Sequence, residues 1–305
     1  MAIKNSLRHR SLVSIGELSR DEIEIILALA KSFKRQRNHH HLENKIIATA
    51  FFEPSTRTRL SFETAVLRLS GKIIGFSDSK NTSLSKGESL EDTIRMLSSY
   101  ADAIVIRHPE SYSAARAAKV STVPVINGGD GSGEHPTQTL LDLFSILETQ
   151  GKIDGLTIAM SGDLKHGRTV HSLAKALKHY KVKLVFISDP LLGMPEEIIK
   201  ECQDAGLKIE FRDRLDLSGI DVLYMTRYQK ERWTHELSKV EPFILKAKEL
   251  VKVPVHFKVL HPLPRLDELA VDVDATPYAY YFQQAENGLF VRQALLCLML
   301  SDIRF

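Results

Sequence analysis

The sequence predicts an α/β protein of two Rossmann-like, three-layer domains with parallel sheets. Short apolar, β-leaning runs alternate with amphipathic helical stretches along the whole chain, as parallel sheets covered by helices require. A polar stretch, Thr149 to Gly155, separates two such series. At 305 residues the chain is long enough to bury two cores. A hydrophobic fraction of 43% and a charged fraction of 26% are those of an ordinary globular protein.

Ser19 and Glu22 form a capping box ahead of a first helix, whose stripe is Ile23, Ile26, Leu27 and Ala30. Lys31, Lys34, Arg35 and Arg37 suit that helix's C-terminal end. His39-His40-His41 follow in a connector, where adjacent histidines seldom converge on one ion, so no metal site is assigned. Ile46 to Ala50 reads as a buried strand, and Phe62, Val66 and Leu69 lie on one helix face. Pro54 to Thr58 therefore joins a strand to a helix N-terminus, where unpaired N–H groups and the dipole favour anions. Ser55, Thr56 and Thr58 add hydroxyls, and Arg57 adds a fork that matches phosphate oxygens. A polar cap on an ordinary helix would use the same residue types.

Lys72 to Phe76 is a strand, Ser77 to Gly87 a polar loop, and Glu88 to Tyr100 a helix. Ala103 to Ile106 is a strand ending in Arg107-His108-Pro109. Val123 to Ile126 is a strand that runs into a glycine-dense turn, Asn127 to Glu134, and His135 to Gln138 open the next helix. In the second series, Leu156 to Met160 is a strand, Ser161-Gly162-Asp163 a turn and Thr169 to Lys178 a helix. The turn lacks Gly-x-Gly-x-x-Gly, which argues against a dinucleotide. Strands at Lys183–Ser188, Lys208–Arg212, Asp221–Met225 and Phe257–Leu260 follow, with a helix over Glu196–Ala205 and an apolar closing helix over Gly288–Leu300. Arg57, Arg107, Arg168, Arg227 and Arg265, with His135, Gln138 and Gln229, thus gather at strand ends, where open α/β sheets bind ligands. Such a set suits a substrate pair rich in phosphate and carboxylate.

The ordered motifs Ser55-Thr56-Arg57-Thr58-Arg59, Arg107-His108-Pro109, His135-Pro136-Thr137-Gln138, Gly162-Asp163-Leu164-Lys165, Gly167-Arg168-Thr169-Val170-His171-Ser172, Tyr224 to Arg232 and Leu260 to Arg265 resemble those of the aspartate and ornithine carbamoyltransferases. Arg227-Tyr228-Gln229, and Pro262 within His-Pro-Leu-Pro, place the resemblance on the aspartate side. It implies transfer of the carbamoyl group of carbamoyl phosphate to the amine of L-aspartate, giving N-carbamoyl-L-aspartate and phosphate for pyrimidine biosynthesis. It also implies a carbamoyl-phosphate domain over 1–149 plus 286–305, to which the closing helix returns, an aspartate domain over 150–285, and reaction between them.

By the same resemblance, Ser55, Thr56, Arg57, Thr58 and Arg107 hold the phosphate. Thr58, Arg107 and His135 polarise the carbamoyl oxygen, and Gln138 receives the carbamoyl amine. Backbone carbonyls near Pro262 and Leu263 orient the carbamoyl group, Leu263 and Pro264 belong to the carbamoyl-phosphate contacts, and Arg168, Arg227 and Gln229 grip the aspartate carboxylates. Ser83 and Lys86 reach the site from a neighbouring subunit of a homotrimer. Glu53 is expected to pair with Arg168 or Arg232 across the closed cleft. No cofactor and no metal is implied.

Two positions depart from relatives. Ser85-Lys86-Gly87-Glu88 stands where some relatives have Lys-Lys-Gly-Glu, so Lys86 carries that role alone. His166 stands where related chains often have tyrosine, which bears on control of domain closure rather than on the chemistry. Relatives of this type often pair with a separate regulatory chain, whose presence the sequence does not reveal.

A rival reading is a carbamoyltransferase acting on ornithine or another amino acid. A second is a catalytically silent scaffold, which predicts lost site residues, yet every matched position is filled. No nucleic-acid partner is assigned; the net charge of +3 is too small to argue for one. Cys202 and Cys297, too few for a disulfide framework, suggest the cytoplasm. The N-terminus has no apolar signal segment, and Leu289 to Leu300, broken by Arg292 and Gln293, is too short to span a bilayer.

Overall fold

The computed structural model describes residues 5–36, 39–78 and 86–303. The chain separates into two compact units, Met1–Leu140 with Asn287–Phe305, and Leu141–Glu286.

In the first unit α1 (Arg20–Arg35) begins at the Ser19–Glu22 capping box. There follow β1 (Ile46–Phe51), α2 (Thr56–Arg68), β2 (Lys72–Phe76), α3 (Leu90–Tyr100), β3 (Ala103–His108), α4 (Ser113–Val120), β4 (Val125–Asp130) and α5 (Pro136–Gln150), which runs on into the second unit. The strands form an all-parallel sheet of order β2-β1-β3-β4. The chain moves outward from β1 to β2, then reverses to β3 and β4. Right-handed crossovers then put α2 on one face and α3 with α4 on the other. Ala48, Ala50, Ile104 and Ile106 alternate along β1 and β3 and pack with Leu90, Ile94, Ala114 and Ala117 of α3 and α4. The reversal leaves a switch point at the C-terminal ends of β1 and β3, the ordinary ligand position of such sheets.

The second unit holds β5 (Thr157–Ser161), α6 (Arg168–Leu177), β6 (Lys183–Ile187), α7 (Glu196–Asp204), β7 (Lys208–Arg212), β8 (Val222–Met225) and β9 (Lys258–Leu260). Its parallel sheet has the order β7-β6-β5-β8-β9, with its switch point between β5 and β8. Ala159, Val185, Leu223 and Val259 pack with Leu245, Leu250, Phe257 and Leu269 from the long segments around β8 and β9. α8 (Tyr281–Leu300) closes the chain, and from Asn287 it belongs to the first unit. Among the described residues no helix is long and apolar enough to cross a membrane.

Three local expectations change. Asn127-Gly128-Gly129-Asp130 are the last four residues of β4, not a turn, and all four are buried. A Cβ on Gly128 would stand 3.1 Å from the Ile106 carbonyl oxygen, so the glycine serves strand packing. α8 begins at Tyr281, ahead of Gly288, because Gln284 and Asn287, polar in sequence, are buried. α4 was not foreseen, since its buried residues are Ser113 and two alanines.

Candidate active site

In the first unit β1 delivers Glu53-Pro54-Ser55 to the start of α2. Ser55 is extended at the N-cap, and its side chain makes no capping bond. The first-turn N–H groups of a helix lack intrahelical acceptors and attract anions. Thr56 and Arg57 are exposed there, Ser55 is half-buried and Thr58 is buried. Phe52 N donates to Arg107 O at 2.8 Å, which ties the end of β1 to β3. Arg107 donates through Nη1 to Gly128 O at 3.1 Å and pairs through Nη2 with Glu53 at 2.8 Å. Within the first unit, Glu53 thus has Arg107 of the adjacent strand as its ion-pair partner. Burial, and then the Arg107 charge, lower the Arg57 pKa from its ordinary value. Two guanidinium groups that repel one another near a helix N-terminus favour an anion between them.

The β4–α5 connection places His135. Gly133 N donates to Asp130 O at 2.8 Å and Glu134 N to Asp130 Oδ1 at 2.9 Å. His135 is buried, with Nε2 3.5 Å from Thr58 Oγ1 and Nδ1 3.5 Å from Thr137 Oγ1. Gln138, half-buried one turn on, donates its N–H to His135 O at 2.9 Å. Ser55, Thr56, Arg57, Thr58, Arg107, His135 and Gln138 therefore belong to one end of one sheet.

In the second unit the ends of β5 and β8 nearly touch. A Cβ on Gly162 would lie 2.2 Å from Thr226 O, and its φ is +121°. Only glycine fits both constraints. The next residue, Asp163, has a fully buried carboxylate. It accepts from His166 N at 3.0 Å, His166 Nδ1 at 2.9 Å, Gln229 N at 3.1 Å and Trp233 Nε1 at 2.9 Å. Gln229 Nε2 donates to His166 O at 2.6 Å. Arg168 opens α6 behind Gly167 and is half-buried. Arg227 pairs through Nη2 with Glu231 at 2.5 Å. Burial opposes ionisation of Glu231, yet a backbone N–H and Arg227 hold its carboxyl below the usual carboxylate range. Gln229 is thus anchored on Asp163, with Arg227 two residues before it held by Glu231 and Arg168 at the start of α6; the anchoring roles of Asp163, Glu231 and Trp233 were missed by sequence reasoning. The buried position directly after the strand-end glycine was the available signal.

β9 ends in His261-Pro262-Leu263-Pro264. Leu263 is half-buried with φ +55°, and a cis bond joins it to exposed Pro264. Arg265 is held by neighbours of its own. It donates through Nη2 to Asp274 at 2.6 Å and through Nη1 to Tyr281 Oη at 3.1 Å. Lys86 is exposed. Ser83 lies outside the described residues.

Family models match both halves of the chain. That of the aspartate/ornithine carbamoyltransferase carbamoyl-P binding domain covers residues 10–148, and that of the Asp/Orn binding domain covers 154–299. The aspartate carbamoyltransferase catalytic subunit of Chromobacterium violaceum is 54% identical over 297 residues, 96% of this chain and 98% of that one. Catalytic subunit 2 of Shewanella halifaxensis is 52% identical over 303 residues, 98% of each. The crystal structure of aspartate transcarbamoylase from Trypanosoma cruzi with carbamoyl aspartate and phosphate superposes with a TM-score of 0.92 at 37% identity, covering 98% of both chains.

Proposed function

The chain belongs to the aspartate/ornithine carbamoyltransferase family, and on that premise we propose that it transfers the carbamoyl group of carbamoyl phosphate to L-aspartate. The observation that carries the reading is the convergence of Arg57, Arg107 and His135 on the N-terminal end of α2 at the first sheet's switch point. Ser55, Thr56, Arg57, Thr58 and Arg107 hold the phosphate. Thr58, Arg107 and His135 donate to the carbamoyl oxygen, which becomes an oxyanion when the amine attacks. Each such donor is worth about 10²–10³ in rate. Gln138 and the Leu263–Pro264 turn orient the carbamoyl amine. Arg168, Arg227 and Gln229 bind the aspartate carboxylates. The tetrahedral intermediate expels phosphate, which takes the amine's proton, so no protein base is required.

Arg227 favours aspartate over ornithine, because ornithine's ammonium would meet a guanidinium instead of supplying a carboxylate. That mismatch is worth roughly a thousandfold or more. Incubation with carbamoyl phosphate and either amino acid, with the product identified by mass, tests this. Carbamoyl-aspartate should form and citrulline should not; comparable turnover of both overturns the assignment.

The proposal extends to a carbamoyl-phosphate domain of residues 1–149 with 286–305, an aspartate domain of 150–285, and a homotrimer in which Ser83 and Lys86 serve a neighbour's site. A head-to-tail ring delivers one loop per site. Mixed and reassociated Arg57→Ala and Lys86→Ala chains should regain activity, since about a quarter of random sites then carry neither lesion. Trimers that reassemble and stay inactive rule out sharing. A cytoplasmic place in pyrimidine biosynthesis fits two buried, unbridged cysteines and the product's chemistry.

A further inference from the structure

We infer that His261 and Glu268 are a positioning pair that fixes the backbone turn at Leu263 and acts on turnover rather than on aspartate binding. This rests on the carbamoyltransferase reading and adds to it two residues that do not touch substrate.

Leu263 sits at φ +55°, a left-handed conformation uncommon for a leucine, so its surroundings must hold it there. The hold is specific. Leu263 N donates to His261 Nδ1 at 2.8 Å. An Nδ1 that accepts carries no proton, so the ring proton is on Nε2, which stands 2.9 Å from Glu268 Oε1 and donates to it. The same Oε1 accepts from Leu266 N at 3.0 Å. The carboxylate therefore selects the tautomer, and the tautomer holds the turn. Burial alone would raise the Glu268 pKa; the bonds from His261 and the backbone outweigh it and hold the carboxyl below its usual range.

Behind the pair the network continues to a fixed base. His261 N donates to Gln284 Oε1 at 2.8 Å, Gln284 Nε2 to Asp142 Oδ1 at 2.6 Å, and Tyr224 Oη to Asp142 Oδ2 at 2.9 Å. His261, Glu268 and Gln284 are each 1% exposed, and Asp142 and Tyr224 are 0% exposed. Two buried carboxylates beneath one four-residue turn are costly for stability alone, because well-packed apolar residues often serve as well there. Their use is explained if the Leu263 backbone must stand in one place while the carbamoyl group reacts.

The test separates positioning from structure. The double variant His261→Phe with Glu268→Leu removes both members of the pair and leaves the Leu263 and Leu266 N–H groups without those acceptors. Its melting temperature should fall, and kinetics are read well below it on protein shown folded. Its kcat should fall about 10²-fold, the scale of a 1 Å misplacement, with the KM for aspartate within about threefold. Glu268→Gln keeps an oxygen acceptor for Nε2–H and should restore kcat to within about fivefold of wild type. A double variant with unchanged kcat overturns the inference, as does a Glu268→Gln protein that folds normally and is as slow as the double variant. If the double variant does not fold, Glu268→Gln and Glu268→Leu are compared alone, and equal kcat in the two overturns it. A wild-type protein without carbamoyltransferase activity overturns the functional reading first, and this inference with it.

Discussion

Replacing Asp163 by alanine should uncouple the two halves of the chemistry. The carboxylate is 0% exposed and accepts from two backbone N–H groups, an imidazole and an indole. A hydrogen bond to a charged group contributes about 1.5–3 kcal/mol, but these bonds share one acceptor, and water can enter the space left by the side chain. A net loss of roughly 3–5 kcal/mol in stability is the sensible scale, that of removing one buried charged partner. Gln229 loses the bond that fixes its backbone, and Arg227, two residues earlier, loses its register with it. Losing about 2.7 kcal/mol of aspartate recognition corresponds to a hundredfold rise in KM. The groups proposed to hold carbamoyl phosphate lie in the other unit, so the affinity for carbamoyl phosphate measured by calorimetry should change little. Steady-state kinetics with aspartate varied, on protein shown folded at the assay temperature, gives the answer. A normal aspartate KM, or a parallel loss of carbamoyl-phosphate affinity, would refute the reasoning.

Arg57→Ala should abolish nearly all turnover while the melting temperature moves by no more than about 2 °C, because an exposed residue beside a like charge contributes little to stability; a fully active variant removes Arg57 from the phosphate site. Glu231→Ala frees the Arg227 fork from its carboxylate and should raise the aspartate KM by about three- to tenfold, the modest scale of a half-exposed pair; an unchanged KM would show that Arg227 needs no such anchor. Burial lowers the pKa of His171, whose Nε2 donates to Leu164 O at 2.7 Å, and burial also lowers that of His108. Stability is then intact above about pH 6.5, the ordinary histidine value, and is lost as pH falls through the lower folded values, because the unfolded chain takes up the protons first. Melting curves from pH 7.5 to 5 should show this fall, and His171→Gln should flatten it; an unflattened curve excludes His171 as a source.

Both sheets were legible because buried parallel strands write themselves as short apolar runs, and Ile46–Ala50 and Leu156–Met160 did so plainly. β4 was read short because Gly128 and Gly129 signal a turn by composition, and only the approach of Ile106 shows why a strand needs them. α8 was read short for a related reason: Gln284 is polar by type yet sits in the core on the strength of two hydrogen bonds. The cations proposed for the site were picked out through motifs that resemble the family's. The Glu53–Arg107 pair was not foreseen because it follows strand register: Phe51 stands opposite Arg107 in the β1–β3 ladder, two residues before Glu53.

What the sequence concealed has one physical pattern. A cation that faces an anionic ligand stands in an exposed or half-buried turn, and residue type alone suggests its role. The carboxylates that hold those turns do the opposite: Asp163 and Glu268 are buried and bond to backbone N–H groups, a role that residue type does not announce even where, as for Asp163, the residue lies in a motif. In the second unit the turns that carry proposed site residues have such acceptors, Asp163 under those of Arg227, Gln229 and His166, and Glu268 under Leu263. A buried carboxylate is stable only when its donors are fixed, so it turns a loop that could wander into one that stands still. Positioning of this kind is what a reaction between two bound substrates needs. These acidic residues should therefore be as intolerant of substitution as the arginines, and the two groups should fail differently: the arginines through lost binding with the fold intact, the carboxylates through misplaced turns.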